Sequence, residues 1–208
     1  MTEQQTTRVV SEHQQLRADI YQLLSALLRQ VPNPELMQFL ANLELDEDND
    51  SDMGKAWHGL KLAAQTHLDS QLDDEFFNLF IGLGHGEVIP YISWYLTGSL
   101  MDQPLALLRQ DLTRLGFARE ENVKEPEDHL SALCEVMAFL LLEGRQQDQI
   151  PFWQKHLAPW VDQFFTDLAA AKHASFYVAV AALGQAFFAA EKVEFGNLIL
   201  DVQVEQAG

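Results

Sequence analysis

The side chains best suited to chemistry lie together in one short segment, Glu125-Pro126-Glu127-Asp128-His129. Carboxylates beside an imidazole can act as general acid and base, or can supply two ligands to a metal ion. A hydrolase, however, needs a nucleophile that converges with them, and a metal site needs further ligands. No such partner is evident in the neighbouring sequence, so the segment predicts neither a catalytic residue nor a metal site.

Two interpretations of this segment stay open. A proline followed by acids is typical of a helix start, where acids favour the positive end of the helix dipole and free N–H groups need acceptors. This structural interpretation does not require His129, because a protonated imidazole is disfavoured at a helix start. A neutral His129 offers one donor and one acceptor, which suits a bound peptide backbone. The segment therefore predicts either a capped helix start or a peptide-binding site.

The other candidates for chemistry have simpler structural explanations. The segment Gly82-Leu83-Gly84-His85-Gly86 lacks the Gly-Lys-Ser/Thr ending of a phosphate-binding loop, so a turn between helices explains its glycines. Ser93 is not part of a Gly-x-Ser-x-Gly motif, which favours a helix cap or a polar contact. Cys134 stands alone in an apolar stretch and is expected to be a buried hydrophobic residue. We therefore predict a protein that is not an enzyme.

The charge of the chain limits its partners. The 208 residues include 31 Asp and Glu against 13 Lys and Arg, which gives a formal net charge of -18. Such a protein repels nucleic acid and anionic lipid, because both are bound through Lys and Arg. A basic partner would be attracted, although acidity can also serve solubility alone. We predict from this charge that the protein binds no nucleic acid and does not insert into a membrane. Because residues 1–8 are polar and lack the pattern of a signal peptide, we predict a cytoplasmic location.

Apolar residues recur at helical spacing along most of the chain. Start and stop signals predict an all-α protein of about ten helices. Among them, Pro126 is expected at the first position of a long helix that ends at Gly144, and two apolar helices are expected near residues 152–171 and 175–190. The polar stretch at residues 117–124 is interpreted as a linker. The chain would then consist of an N-terminal helical lobe (1–118), a hinge (119–124) and a C-terminal helical lobe (125–208).

Two sequence blocks together resemble the signature of the TorD/DmsD family of redox-enzyme maturation chaperones. The first is Leu79-Phe80-Ile81-Gly82 followed by Pro90-Tyr91-x-Ser93-x-Tyr95, and the second is Glu125-Pro126-x-Asp128-His129 before an apolar helix. Both blocks stand in the order and spacing of the family. Residues 83–96 are most similar to the TorD branch, because DmsD-like proteins more often have Trp where Tyr91 stands. The resemblance implies a helical TorD-like fold of two lobes joined by a hinge.

The resemblance also implies a function. Members of this family bind the twin-arginine signal peptide and the apo form of a molybdoenzyme, and they delay export until its molybdenum cofactor is inserted. In the TorD branch the client is trimethylamine N-oxide reductase. The chaperone needs no cofactor of its own, although weak binding of guanine nucleotides is compatible with the family. The positions that match the motifs, and thus the expected peptide- and client-binding residues, are Leu79, Phe80, Pro90, Tyr91, Ser93, Tyr95, Glu125, Pro126, Asp128 and His129.

A twin-arginine leader combines a basic region with an apolar one, so its receptor needs an apolar groove with an acidic rim. The candidates for the lining are aromatic: Phe80, Tyr91, Trp94 and Tyr95. The candidates for the rim are acidic: Glu125, Glu127 and Asp128. Aromatic residues at helical spacing are more often core residues, however. We therefore also expect substantial burial of Phe76, Phe80 and Trp94.

Three alternatives stay open on this sequence. The client can be another molybdoenzyme of the same class, or the chain can be a plain helical adaptor that does not select a basic leader. The hinge at residues 119–124 can hold a monomer together, or it can open so that lobes exchange between chains and give a domain-swapped homo-oligomer.

Overall fold

The computed structural model of the protein describes residues 10–68, 70, 72–120 and 123–207, of which 201–207 are described as backbone only. Within these ranges the chain forms ten α-helices and no β-strand, which confirms the predicted all-α fold. Helices α4 and α8 continue directly into π-helical turns at Phe77–Ile81 and Trp153–Leu157. The helices are α1 (Glu12–Arg29), α2 (Pro34–Ala41), α3 (Asp52–Thr66), α4 (Asp73–Phe76), α5 (Ile92–Thr97), α6 (Gln103–Leu115), α7 (Leu130–Leu142), α8 (Gln146–Phe152), α9 (Val161–Ala170) and α10 (Phe176–Ala207).

Side-chain caps determine where the first helices begin. The hydroxyl of Ser11 accepts a hydrogen bond from the N–H of Gln14 at 3.2 Å, and the Gln14 side chain accepts one from the N–H of Ser11, which completes a capping box. The side chain of Asn33 accepts from the N–H of Leu36 at 2.8 Å, and Pro34 occupies the first helical position of α2. Both starts therefore follow from local sequence.

One hydrophobic core runs through the described residues. Helix α1 packs along α7, and α10 packs against both α3 and α9. Fully buried side chains from all five helices belong to one cluster, among them Tyr21, Leu60, Leu133, Phe165 and Phe188. The α1–α7 and α3–α10 contacts cross the predicted hinge at residues 119–124, of which 121 and 122 lie outside the described residues. The division into two lobes stays a prediction, and the two halves share a core in this conformation.

A buried ion pair holds the longest helix, α10, in the core. The carboxylate of Glu191 accepts hydrogen bonds from the guanidinium of Arg17 at 2.6 and 2.8 Å and from the hydroxyl of Tyr21 at 2.8 Å. The segment Phe176–Leu200 is long and apolar enough to cross a membrane by length and composition, but half of its most apolar window is buried inside the protein. Its burial and the Glu191 ion pair indicate a core helix. The predicted helix at residues 175–190 is too short, since α10 continues to Ala207.

Two predicted helix boundaries are wrong. Helix α7 begins at Leu130 with His129 as its N-cap, so Pro126 lies before the helix and not at its first position. The predicted helix over residues 152–171 is interrupted, because the π-helical turn ends at Leu157 and α9 begins at Val161. Proline at position 159 has no N–H to continue the helical hydrogen bonds, which explains the break.

Candidate functional site

The two signature blocks meet in space although they lie far apart in sequence. Tyr91 and His129 form an isolated antiparallel bridge. Beside it, the N–H of Ile92 donates to the carbonyl of Asp128 at 3.1 Å, and the N–H of Leu130 donates to the carbonyl of residue 90 at 2.8 Å. We call residues 90–93 and 128–131 the clasp. It ties the start of α5 to the start of α7.

Asp128 is the centre of the clasp and is only 1% exposed. Its Oδ2 accepts a hydrogen bond from the hydroxyl of Ser93 at 2.5 Å and a longer one from the N–H of Ser93 at 3.3 Å. The carboxylate thus lies at the start of α5, where free N–H groups and the helix dipole favour a negative charge. Its other oxygen, Oδ1, is buried without a hydrogen-bond partner among the described residues. Ser93 makes the polar contact that its sequence context predicts.

His129 serves the clasp as a helix cap. Its Nδ1 accepts a hydrogen bond from the N–H of Ser131 at 3.1 Å, so the ring proton lies on Nε2. Burial lowers the pKa of His129 to about 4, and the positive charge of Arg29 acts in the same direction. The neutral ring stands edge-on to Tyr91, with centroids 5.0 Å apart. Because His129 is 7% exposed, it offers a peptide little surface in this conformation.

The acidic rim predicted from the sequence is largely engaged in internal contacts. Glu127 pairs with Arg109 at 2.8 Å and with Arg119 at 3.6 Å. Partial burial opposes ionisation of Glu127, but the hydrogen bond from Arg109 outweighs it and lowers its pKa. The carboxylate of Glu125 is exposed and has no cationic partner among the described residues, and its pKa is raised by partial desolvation and by the charge of Asp128. Glu125 is therefore the carboxylate of this rim that a basic ligand can reach.

The first block is fixed against the start of α10. Phe80 is half-buried and packs on the rings of Phe76 and Tyr177, with centroids 5.0 and 5.2 Å away. Glu75 caps α10, since its Oε1 accepts from the N–H of Ser175 at 2.8 Å and from that of Tyr177 at 2.9 Å. Glu75 was not predicted as a positioning residue, because its partners lie 100 residues or more further along the chain.

Two glycines allow the chain to turn after the first block. Gly82 has a φ of 58°, a left-handed conformation that favours glycine. A Cβ atom at Gly86 would lie 2.3 Å from the carbonyl oxygen of Leu79, so a side chain there would collide with the backbone. These two requirements explain the alternating glycines as a tight turn between helices, and they leave Leu83 at its tip 98% exposed.

Helix α5 presents its two aromatic residues to different surroundings. Tyr95 is half-buried, and its hydroxyl donates to the carboxylate of Asp167 at 2.9 Å. Trp94 is 40% exposed, so the expectation that it is substantially buried is wrong. Helix α5 has only six residues and turns Ile92 and Ser93 inward. The next residue lies about 100° further around the helix and faces outward.

Exposed apolar side chains continue past the end of α5. Gly98 ends this helix in a left-handed conformation, with a φ of 76°. Leu96, Leu100 and Met101 are all more than two-fifths exposed. We call Trp94, Leu96, Leu100 and Met101 the apolar strip. A group of exposed apolar residues marks a surface that can bind an apolar ligand. The last three lie outside both motifs, and nothing in the sequence signals their exposure.

The structure divides the ten predicted binding residues by accessibility. The clasp brings together Asp128 and His129 of the second block and Pro90, Tyr91 and Ser93 of the first. Contact of any of the ten with a peptide stays a prediction. In the described part of the chain, no three His, Cys, Asp or Glu side chains are grouped to hold a metal ion. Buried are Leu79, Pro90, Ser93, Asp128 and His129, half-buried are Phe80, Tyr91, Tyr95 and Pro126, and exposed is Glu125.

Comparison with known proteins finds a family match that contains both blocks. The model of the family "Nitrate reductase delta subunit" matches residues 46–166, which is more than half of the chain. Chaperone protein TorD of Vibrio cholerae serotype O1 (strain M66-2) is 27% identical over 206 residues, which cover 88% of this chain and 93% of that protein. Chaperone protein TorD of Aggregatibacter aphrophilus (strain NJ8700) is 36% identical over 96 residues, 45% of each chain.

A solved structure shares the fold. The crystal structure assigned to a redox enzyme maturation protein from Archaeoglobus fulgidus superposes with a TM-score of 0.55. The match covers 83% of this chain and 93% of that one at 18% sequence identity. At this identity the likeness concerns the arrangement of helices alone, and it agrees with the predicted helical fold.

Proposed function

Because the chain belongs to the nitrate reductase delta subunit family, as a redox-enzyme maturation chaperone of the TorD/DmsD type, we propose that it binds the twin-arginine signal peptide of a client enzyme. It is a chaperone and not an enzyme, as the sequence predicted. The client is a molybdoenzyme in its apo form, and the chaperone holds it in the cytoplasm until the molybdenum cofactor is inserted. No cofactor of the chaperone itself takes part.

The proposal rests on the connection of both the apolar strip and Glu125 to the clasp. Trp94 directly follows Ser93, and Glu125 precedes Asp128 by three residues. The hydrogen bond between Ser93 and Asp128 therefore holds an exposed apolar surface and an exposed carboxylate near the same point. A leader with an apolar region and two arginines needs this combination.

Binding proceeds from long-range attraction to short-range contact. The net charge of -18 attracts the basic region of the leader, and Glu125 pairs with one of its arginines. The apolar region then covers Trp94 and Leu96, which removes apolar surface from water. Because the attraction is electrostatic and the site lies at the surface, affinity falls as salt is added.

In this proposal the buried signature residues position the ligand-binding surface and do not themselves form it. Asp128 and His129 hold the starts of α5 and α7, and thereby the orientation of Trp94. Their substitution weakens leader binding because the clasp loosens. This replaces a direct contact by Asp128 with the leader, since that carboxylate is buried against Ser93.

The comparisons with known proteins favour two different client enzymes. Likeness to chaperone protein TorD over most of both chains, together with the TorD-like residues 83–96, favours trimethylamine N-oxide reductase. The family description favours an enzyme of the nitrate reductase class. We propose trimethylamine N-oxide reductase, because the TorD relatives match the chain outside residues 46–166 as well.

A pull-down from a cell extract tests the proposal. The tagged full-length chain is expected to recover an apo-molybdoenzyme, and recovery should fail when the leader of that enzyme is deleted. Mass spectrometry of the captured protein distinguishes the two clients. Recovery that does not depend on the leader would instead support a plain helical adaptor and would reject the proposed function.

A further inference from the structure

Helix α2 has an outer face that no part of the described chain covers. Its inner face packs into the core through Met37, Leu40 and Ala41. A shallow groove of about 650 Å³ follows the opposite face. The groove residues recur at roughly helical spacing, as expected for one side of a helix and the turn after it. They are Pro34, Glu35, Gln38, Phe39, Asn42, Leu43 and Glu44.

The middle of this groove is apolar. Phe39 is 58% exposed, and Pro34 and Leu43 are the other two apolar residues of the groove lining. Covering an exposed phenyl ring with a ligand removes apolar surface from water and therefore favours binding. The groove therefore has a surface on which the apolar stripe of a second helix can pack.

The charged side chains that line the groove are both acidic. Between Arg29 and Lys55 the chain has no Lys, Arg or His. The same stretch contains seven acids, all exposed, and none of them forms an ion pair with another described residue. Two of these acids, Glu35 and Glu44, belong to the groove itself. The others lie in or beside the loop that leads to α3, and they are Asp46, Glu47, Asp48, Asp50 and Asp52.

From this combination we propose that the groove is a second binding site, which docks a basic amphipathic helix of a partner protein. The apolar stripe of that helix covers Phe39, and Lys or Arg side chains on its flanks reach Glu35 and Glu44. A second copy of this chain is disfavoured as the occupant, because it would bring the same charge of -18. The site is distinct from the clasp and does not depend on the identity of the client.

A binding experiment with a model peptide tests this site. The probe is a fluorescent amphipathic Leu/Lys peptide of about five helical turns, titrated with the full-length chain at physiological salt. The matched probe has Glu in place of every Lys. The variants are Phe39→Ser for the groove centre and Glu35→Gln with Glu44→Gln for the rim. Their controls on α1 are Leu16→Ser, at a comparably exposed apolar side chain, and Glu12→Gln with Asp19→Asn, which makes the same change in net charge.

The expected result is binding of the Lys probe, and not of the Glu probe. Phe39→Ser should weaken it roughly tenfold, which matches the loss of a partly buried aromatic contact. The rim variant should weaken it by more than its charge-matched control. If both pairs of neutralising substitutions weakened binding of the Lys probe equally, the effect would come from net charge alone, and the site would be rejected. A change of oligomeric state in Phe39→Ser, measured by size-exclusion chromatography, would make a second copy the occupant and also overturn the proposal.

Discussion

The hydroxyl of Ser93 donates a 2.5 Å hydrogen bond to Asp128, and this contact joins two segments that lie 35 residues apart in the sequence. Each residue belongs to a different signature block. Both side chains are buried, so their contribution is to hold the start of α5 against the start of α7. Residues that identify the family by sequence are therefore parts of the clasp.

The first prediction is energetic coupling between Ser93 and Asp128 across the clasp. Ser93→Ala and Asp128→Asn should each lower the free energy of unfolding by about 1–3 kcal/mol, because each leaves a buried polar partner without its hydrogen bond. The double variant should be less destabilised than the sum of the two. Urea denaturation of the four proteins measures this coupling, and strictly additive losses would mean that the hydrogen bond contributes nothing.

The second prediction concerns pH. Folding lowers the pKa of His129 from 6.5 to about 4, so the unfolded chain binds a proton in this range and the folded chain does not. The contribution of a neutral His129 is fully present above pH 6.5 and is lost as the pH falls toward 4. The expected loss is about 3 kcal/mol, from the size of the pKa shift.

His129→Asn isolates this effect, because Asn can still cap α7 but does not titrate. The variant should show a shallower fall of stability between pH 6.5 and 4, measured by urea denaturation at each pH. His156, whose pKa is lowered mainly by burial, accounts for part of the slope that is left. The exposed His13, replaced by Asn, is the control. If the two variants had the same slope as the unmodified protein, His129 would not be the titrating group.

The third prediction compares a buried with an exposed ion pair. Arg17→Met leaves the carboxylate of Glu191 buried without its cation and should lower stability by about 3–5 kcal/mol. Arg29→Met breaks an ion pair with Glu135 at the surface and should change stability by less than about 1 kcal/mol. Thermal or urea denaturation measures both. A loss of stability for Arg17→Met as small as that for Arg29→Met would show that α10 does not depend on the buried pair.

The fourth prediction concerns the hinge at residues 119–124. If it opens, α7 of one chain can pack on α1 of another, since the α1–α7 contact crosses the hinge. A domain-swapped dimer would then keep the same core as the monomer. Incubation at mild acid pH followed by size-exclusion chromatography should reveal a slowly exchanging dimer. A single monomer peak at every concentration and pH would count against exchange.

Local signals predicted much of the fold and little of the site geometry. Asn33 before Pro34, and Gly116 after α6, mark helix ends through contacts with near neighbours. The ion pair of Arg17 with Glu191 joins residues from opposite ends of the chain, which periodicity cannot connect. The motifs identified Asp128, but they could not show that its carboxylate is buried against Ser93, which lies 35 residues earlier in the sequence.

Titration with a twin-arginine leader peptide is the decisive test of leader binding at the apolar strip and Glu125. Calorimetry at low salt should show binding that weakens with added salt and disappears when both arginines are replaced by glutamine. Trp94→Ser should weaken it roughly tenfold and Glu125→Gln to a smaller extent, while Leu16→Ser on α1 leaves it unchanged. Equal affinity for the leader and its arginine-free form would contradict leader binding at this surface. So would unchanged affinity in both Trp94→Ser and Glu125→Gln.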